Sequence, residues 1–202
     1  IKGQPHRGWD VLAEREMVGR FGWKANVATL AHQTAGAFQG DLGITSTRFS
    51  HETCTLAQVD CRAAPSGAEP GGVEIEDKTI EDVVFYQAAL APPARRNVRD
   101  PQVLRGQQLF TQAQCAVCHR PSYTTAEGPF PRLTSKAVSG QTIWPYTDLL
   151  LHDMGDALAD GRPDFLANGR QWKTPPLWGI GLIRDVNGHM RLLHDGRADG
   201  VL

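Results

Sequence analysis

Cys115 and Cys118 stand three residues apart with a histidine directly after them, in the run Cys115-Ala116-Val117-Cys118-His119. With 4 Cys and 7 His among 202 residues, roughly 0.003 such pentapeptides are expected by chance. Two thiols one turn apart are spaced to add to the two vinyl groups of a haem, and the adjacent imidazole then falls on the iron as proximal ligand. The reading is a covalent haem c held by Cys115, Cys118 and His119. Two other chemistries use the same residue types. A thioredoxin-like dithiol needs a preceding strand and a βαβ frame, and a zinc site needs a second ligand pair. Neither pattern is visible.

A helix must deliver this motif. Asp100 is a good N-cap and Pro101 a good first residue, and Val103, Leu104, Gln107 and Phe110 share one broad face, so a helix is predicted to about Ala113. Gly106, Leu109 and Phe110 ahead of the motif resemble the first helix of cytochrome c domains, where a small residue permits a close helix crossing and an aromatic packs near the haem edge. After the motif, residues 120–140 are rich in Thr, Ser and Pro and predict a loop wrapping the haem. A short helix is expected within Trp144–Met154. Asn187-Gly188, between Leu182–Val186 and His189–Leu193, predicts a β-hairpin. Upstream, Ile80, Val83, Val84, Gln87 and Leu90 predict an amphipathic helix over 77–91, stopped by Pro92-Pro93. The expected fold is mainly α: a cytochrome c-like haem domain with long loops and a small β-hairpin, plus the tail of a preceding domain of the same kind.

The second cysteine pair, Cys54 and Cys61, has neither haem spacing nor a following His. Haem c is attached outside the cytoplasm, where thiols oxidise, so a disulfide is expected, with two free buried thiols as the alternative. The net charge of −1 supplies no field for nucleic acid. Apolar runs such as Leu149-Leu150-Leu151 fall far short of the roughly 20 residues of a membrane span. The 21 Gly and 13 Pro exceed the usual share and foretell long irregular segments.

Gly19-Arg20-Phe21-Gly22-Trp23-Lys24 is echoed by Gly169-Arg170-Gln171-Trp172-Lys173. The second copy lies downstream of a CxxCH and the first does not. The expectation is a fragment of a duplicated protein, with residues 1–93 the remnant of a first haem domain and 94–202 a second. The first domain's haem motif would then precede Ile1, and further chain would follow Leu202.

Several longer stretches carry a family resemblance. They are Gly19–Asn26, Ala35–Thr45, Thr142–Gly155, Trp172–Gly179 and Leu193-His194-Asp195-Gly196-Arg197. Together they resemble the bacterial di-haem oxidoreductases, also called predicted thiol oxidoreductases, which are related to di-haem cytochrome c peroxidases. The resemblance covers nearly the whole chain. It implies two covalent haems, a periplasmic location, a periplasmic redox partner protein and a peroxidase-like oxidoreductase activity in which the haem on this chain transfers electrons. A pure electron-transfer cytochrome c without substrate chemistry is the alternative, and a haem-free dithiol enzyme on Cys115 and Cys118 is a third possibility.

Around the haem, Met154 is the candidate distal ligand, because it follows an apolar run and stands beside Gly155; the other reading is a Met packed against the porphyrin edge. In the related peroxidases the distal ligand comes from after the His-Asp-Gly motif, which here means beyond Leu202. His152, His189 and His194 are weaker candidates, with structural roles as the alternative. Pro131, Leu133, Trp144, Tyr146, Leu177 and Trp178 are assigned to the apolar wall, which excludes water and tunes the potential. His32 and Gln33 could face the first haem as ligand or acid/base. Trp23 and Trp172 are expected in the core rather than as electron relays. Lys24 and Lys173 are expected in solvent, or paired with haem propionates.

Overall fold

The computed structural model describes residues 2–127 and 137–201. The chain divides into two compact units, one of His6–Leu90 with Pro163–Leu166, the other of Ile1–Pro5, Ala91–Arg162 and Ala167–Leu202.

In the unit of His6–Leu90, strands β1 (Arg7–Asp10) and β2 (Arg15–Val18) form an antiparallel hairpin. Helix α1 (Leu30–Leu42) follows, capped by Thr29, whose hydroxyl accepts from the His32 amide, and ended by Gly43 at φ 68°. A side chain at such a left-handed C-terminus would be strained, which is why glycine stands there. The short α2 (Val59–Ala63) precedes α3 (Asp77–Ala89). Thr34 and Ala35 on α1 and Ile80 and Val84 on α3 are buried, and Gln87 donates to the Thr34 hydroxyl at 3.1 Å. Cys54 and Cys61 form a disulfide, with Cα atoms 5.8 Å apart.

In the other unit, α4 (Pro101–Gln112) starts as predicted, with the Asp100 carboxylate accepting from the Gln102 amide at 2.7 Å. Short antiparallel pairs follow: β3 (Tyr123–Thr124) with β4 (Thr142–Ile143), β5 (Leu151–Asp153) with β6 (Gln171–Lys173), and β7 (Arg191–Leu192) with β8 (Ala198–Asp199). Helix α5 (Ile183–Asn187) lies before β7.

The mainly α, cytochrome c-like expectation is not met. The structure is 30% helical and 14% strand, and the described residues hold five short α-helices, a few 3-10 turns and small two-stranded sheets. Three local readings fail for identifiable reasons. Within Trp144–Met154 the apolar run Leu149–Leu151 enters strand β5 rather than a helix, and Leu151 is buried with its amide and carbonyl both bonded to Gln4. A run this short fits either element. Asn187-Gly188 closes α5 instead of a hairpin: Gly188, at φ 73°, donates to the Arg184 carbonyl. A left-handed glycine serves a helix end as well as a tight turn. Finally, a Cβ on Gly106 would meet nothing within 4 Å, so no helix crosses α4 there among the described residues.

The two echoed segments also differ locally. Gly22 and Trp23 occupy a turn closed by the Phe21–Val27 bridge, whereas Gln171–Lys173 is a strand. Trp23 is 62% exposed and so is not the core residue expected, while Lys24, expected in solvent, is buried. No helix among the described residues is long and apolar enough to cross a membrane.

Candidate functional site

Helix α4 leads into the Cys115–His119 run through Gln114, a non-glycine residue at φ 61°. This left-handed residue, disfavoured by roughly 1–2 kcal/mol for an L-amino acid, turns the chain into a 3-10 turn over Cys115–Val117. The His119 amide donates to the Cys115 carbonyl at 2.9 Å, so the motif closes on itself in one turn. Cys115 and Cys118 are free thiols, Cys115 exposed and Cys118 half-buried.

His119 is oriented from outside the motif. Its Nδ1 donates to the Tyr146 carbonyl at 2.8 Å, which leaves Nε2 as the ring nitrogen with a free lone pair. Phe110, from the last turn of α4, meets the His119 ring at 6.4 Å and the Tyr146 ring at 5.5 Å, edge-on in both cases. Tyr146 and Leu149 both sit at positive φ, 54° and 58°. The stretch is held in that conformation by its neighbours. The Thr147 hydroxyl donates to the Thr174 carbonyl at 2.6 Å and accepts from the Leu149 amide. Its amide donates to the Arg120 carbonyl, and its own carbonyl accepts from Tyr123 Oη.

Tyr146 also lines a cavity of about 670 Å³ together with Trp144, Ile143, Leu177 and Trp178, with Arg95 and Arg96 in the same wall. Four of the expected wall residues, Trp144, Tyr146, Leu177 and Trp178, are thus brought together. Arg95 lies over the Trp144 ring at 5.1 Å. Pro131 and Leu133 lie outside the described residues. Met154 does not line this cavity; it is 47% exposed after β5, its amide bonded to the Arg170 carbonyl.

Cys115, Cys118 and His119 do not line this cavity; Tyr146, which lines it and bonds His119, connects the two, and the residues present on both sides fit a large apolar group. In the unit of Ala91–Arg162 and Ala167–Leu202, the buried apolar side chains among the described residues are Pro145, Leu151 and Ala167, while Leu104, Leu109, Trp144 and Trp178 are each about 40% exposed or more. No residue of α4 is buried, although Val103, Leu104 and Phe110 share one face. Two thiols, an imidazole nitrogen and bare aromatic and aliphatic surface form the donor set and wall that a haem requires.

His152 is the residue whose importance the sequence understated. It is buried in β5, with Nε2 at 2.8 Å from Asp148 Oδ2 and Nδ1 at 3.7 Å from Cys118 Sγ. Only the i, i+4 spacing of Asp148 and His152 hinted at the pair. His194 stacks on Trp172 with ring centroids 3.8 Å apart, and His189 accepts from the Arg191 amide. Lys173 is largely buried, and that burial lowers its pKa, contrary to the solvated role expected.

The unit of His6–Leu90 has a polar centre of its own. Asp10 is fully buried, which alone would push its carboxyl up, but hydrogen bonds from the Thr29 hydroxyl and the Ala13 and Leu12 amides, with His32 nearby, hold it below the ordinary range. His32 Nδ1 is 3.7 Å from Asp10 Oδ2 and makes no hydrogen bond. Gln33 lies in the first turn of α1.

No curated protein and no solved structure matches the chain. A family model described as "Di-haem oxidoreductase, putative peroxidase" matches residues 14–201, and the chain belongs to that family of haem-binding oxidoreductases.

Proposed function

We propose that this chain carries one haem c, attached through Cys115 and Cys118 with His119 as proximal ligand, and that it is the electron-transferring centre of a periplasmic, peroxidase-like oxidoreductase fed by a redox partner protein. The observation that carries the reading is the bond from His119 Nδ1 to the Tyr146 carbonyl. It fixes the ring, directs Nε2 away from the backbone and raises that nitrogen's basicity, as the outer partner of a ligating histidine does. When bound, the haem supplies one-electron iron chemistry.

The chain's own residues do the rest. Tyr146 and Phe110 hold the imidazole plane, and Trp144, Leu177 and Trp178 offer apolar surface that excludes water from the cofactor. The CxxCH occurs once in the chain, so one covalent haem is assigned to it. Met154 is kept as the distal ligand to test. The disulfide between Cys54 and Cys61 supports an oxidising, exported location.

The dithiol reading is disfavoured by the surroundings of Cys118. Burial, reinforced by the Asp148 carboxylate, pushes its thiol pKa up, away from the thiolate that exchange chemistry needs. A c-type pyridine haemochrome that survives acid extraction is the expected result for the exported protein; absence of any haem band overturns the proposal. A carbon monoxide shift of the reduced spectrum then identifies an open iron and substrate chemistry. An unchanged spectrum identifies a closed electron relay, and Met154→Ala is expected to open it.

A further inference from the structure

The two cysteines of the motif are not equivalent. Cys115 is exposed, and among the described residues its sulfur reaches the Ala113 carbonyl, at 4.0 Å. Cys118 Sγ instead faces Nδ1 of a buried histidine at 3.7 Å. That histidine, His152, has its other nitrogen on Asp148 Oδ2 at 2.8 Å. An ionised carboxylate only accepts, so the neutral ring carries its hydrogen on Nε2 and presents a lone pair at Nδ1 to the thiol. Asp148 is itself fixed, because its Oδ1 accepts from the Leu150 amide at 2.9 Å. Leu149, between them, holds φ 58°. A buried histidine paired with a half-buried carboxylate, on a strained backbone, is costly to maintain, and the role assigned to His119 uses neither His152 nor Asp148.

We propose that His152, braced by Asp148, is a positioning residue for the second thioether: it fixes the Cys118 S–H so that this sulfur closes on a vinyl group once Cys115 is linked. The inference rests on the haem c reading. In the addition, the Cys118 S–H bond and one vinyl π bond are replaced by an S–C and a C–H bond. The hydrogen leaving sulfur ends on the terminal vinyl carbon, and nothing is oxidised or reduced. Cys115, exposed and loosely held, needs no such guide and forms its bond independently of His152.

The test compares the full chain with His152→Phe, Asp148→Asn and His152→Gln, each exported together with a haem-attachment system. Cys118→Ala is the single-thioether reference. Two readouts count thioethers directly: the α-band of the reduced pyridine haemochrome, and iodoacetamide alkylation of Cys118 in the denatured protein. The expected result is that His152→Phe and Asp148→Asn retain covalent haem through Cys115, give the red-shifted band of Cys118→Ala and become alkylated at Cys118. His152→Gln, whose amide oxygen can accept the S–H, is expected to restore part of the second link. A purely structural role would lower the yield of haem protein without changing the ratio of one to two thioethers. Two thioethers in the wild-type proportion in both His152→Phe and Asp148→Asn overturn the inference. If His152→Phe gives no soluble protein, Asp148→Asn decides alone. A wild-type chain without covalent haem overturns the underlying reading, a result distinct from an altered ratio among the variants.

Discussion

Tyr146 donates no side-chain atom to His119; it holds the imidazole with a backbone carbonyl, 2.8 Å from Nδ1, from a residue at φ 54°. The strain and the support therefore reside in the same peptide. Phe110 braces both rings from α4. Phe110→Ala is expected to cost about 2 kcal/mol in urea unfolding, below the 3–5 kcal/mol of a fully buried ring. Phe110→Leu should recover most of that loss. Stability unchanged by Phe110→Ala would show that the edge-on contacts do not hold the site.

Thr147 offers a cleaner separation of polar from apolar effects. Its hydroxyl is buried between the Thr174 carbonyl and the Leu149 amide. Thr147→Val keeps the shape and strands both backbone groups, so a loss of about 2–3 kcal/mol is expected. Thr147→Ser removes one methyl and should cost about 1 kcal/mol. Equal losses for the two substitutions, measured by chemical denaturation, would contradict this account.

Acid should weaken the unit of His6–Leu90 through Asp10. Because the folded carboxyl is held below its unfolded value of about 3.9, its contribution is present above that pH and is lost as the pH falls through the lower folded value. Asp10→Asn should cost about 1 kcal/mol at neutral pH and flatten the stability profile below pH of about 4. A profile as steep as the wild type's would assign the acid sensitivity elsewhere.

The Cys54–Cys61 bridge closes a short exposed loop, for which chain entropy alone supplies about 2.5 kcal/mol. None of the α2 residues inside or beside it is buried. Replacing both cysteines with Ser is expected to speed proteolytic cutting near residues 55–64 while leaving the haem spectrum unchanged. A changed spectrum would link this loop to the site.

Local signals were legible in the sequence where one residue does one job. Asp100 caps α4 as its type and position predicted, α3 occupies Asp77–Ala89 within the expected span, and the Cys115–His119 turn lies at the end of the helix read to deliver it. The wall residues Trp144 and Tyr146 share one cavity with Leu177 and Trp178, a pair from a later stretch of the chain. What the sequence hid depends on pairing and on dual-use residues. Gly188 after Asn187 suits a helix end and a hairpin equally, and Leu149–Leu151 is too short for periodicity to decide between strand and helix. Nor does anything local mark His152 as the partner of a cysteine 34 positions away. No local pattern marks Arg95, whose guanidinium covers the Trp144 ring.

The stretch from Pro145 to His152 has a consequence for how this protein can vary. One short ribbon supplies the carbonyl for His119 at its start and the imidazole for Cys118 at its end, with Thr147 between them bonded to Arg120, Tyr123 and Thr174. A single inserted or deleted residue there would shift one contact out of phase with the other. Drift in length is therefore expected to accumulate in the loops on either side, while this ribbon acts as a fixed ruler between Cys118 and His119.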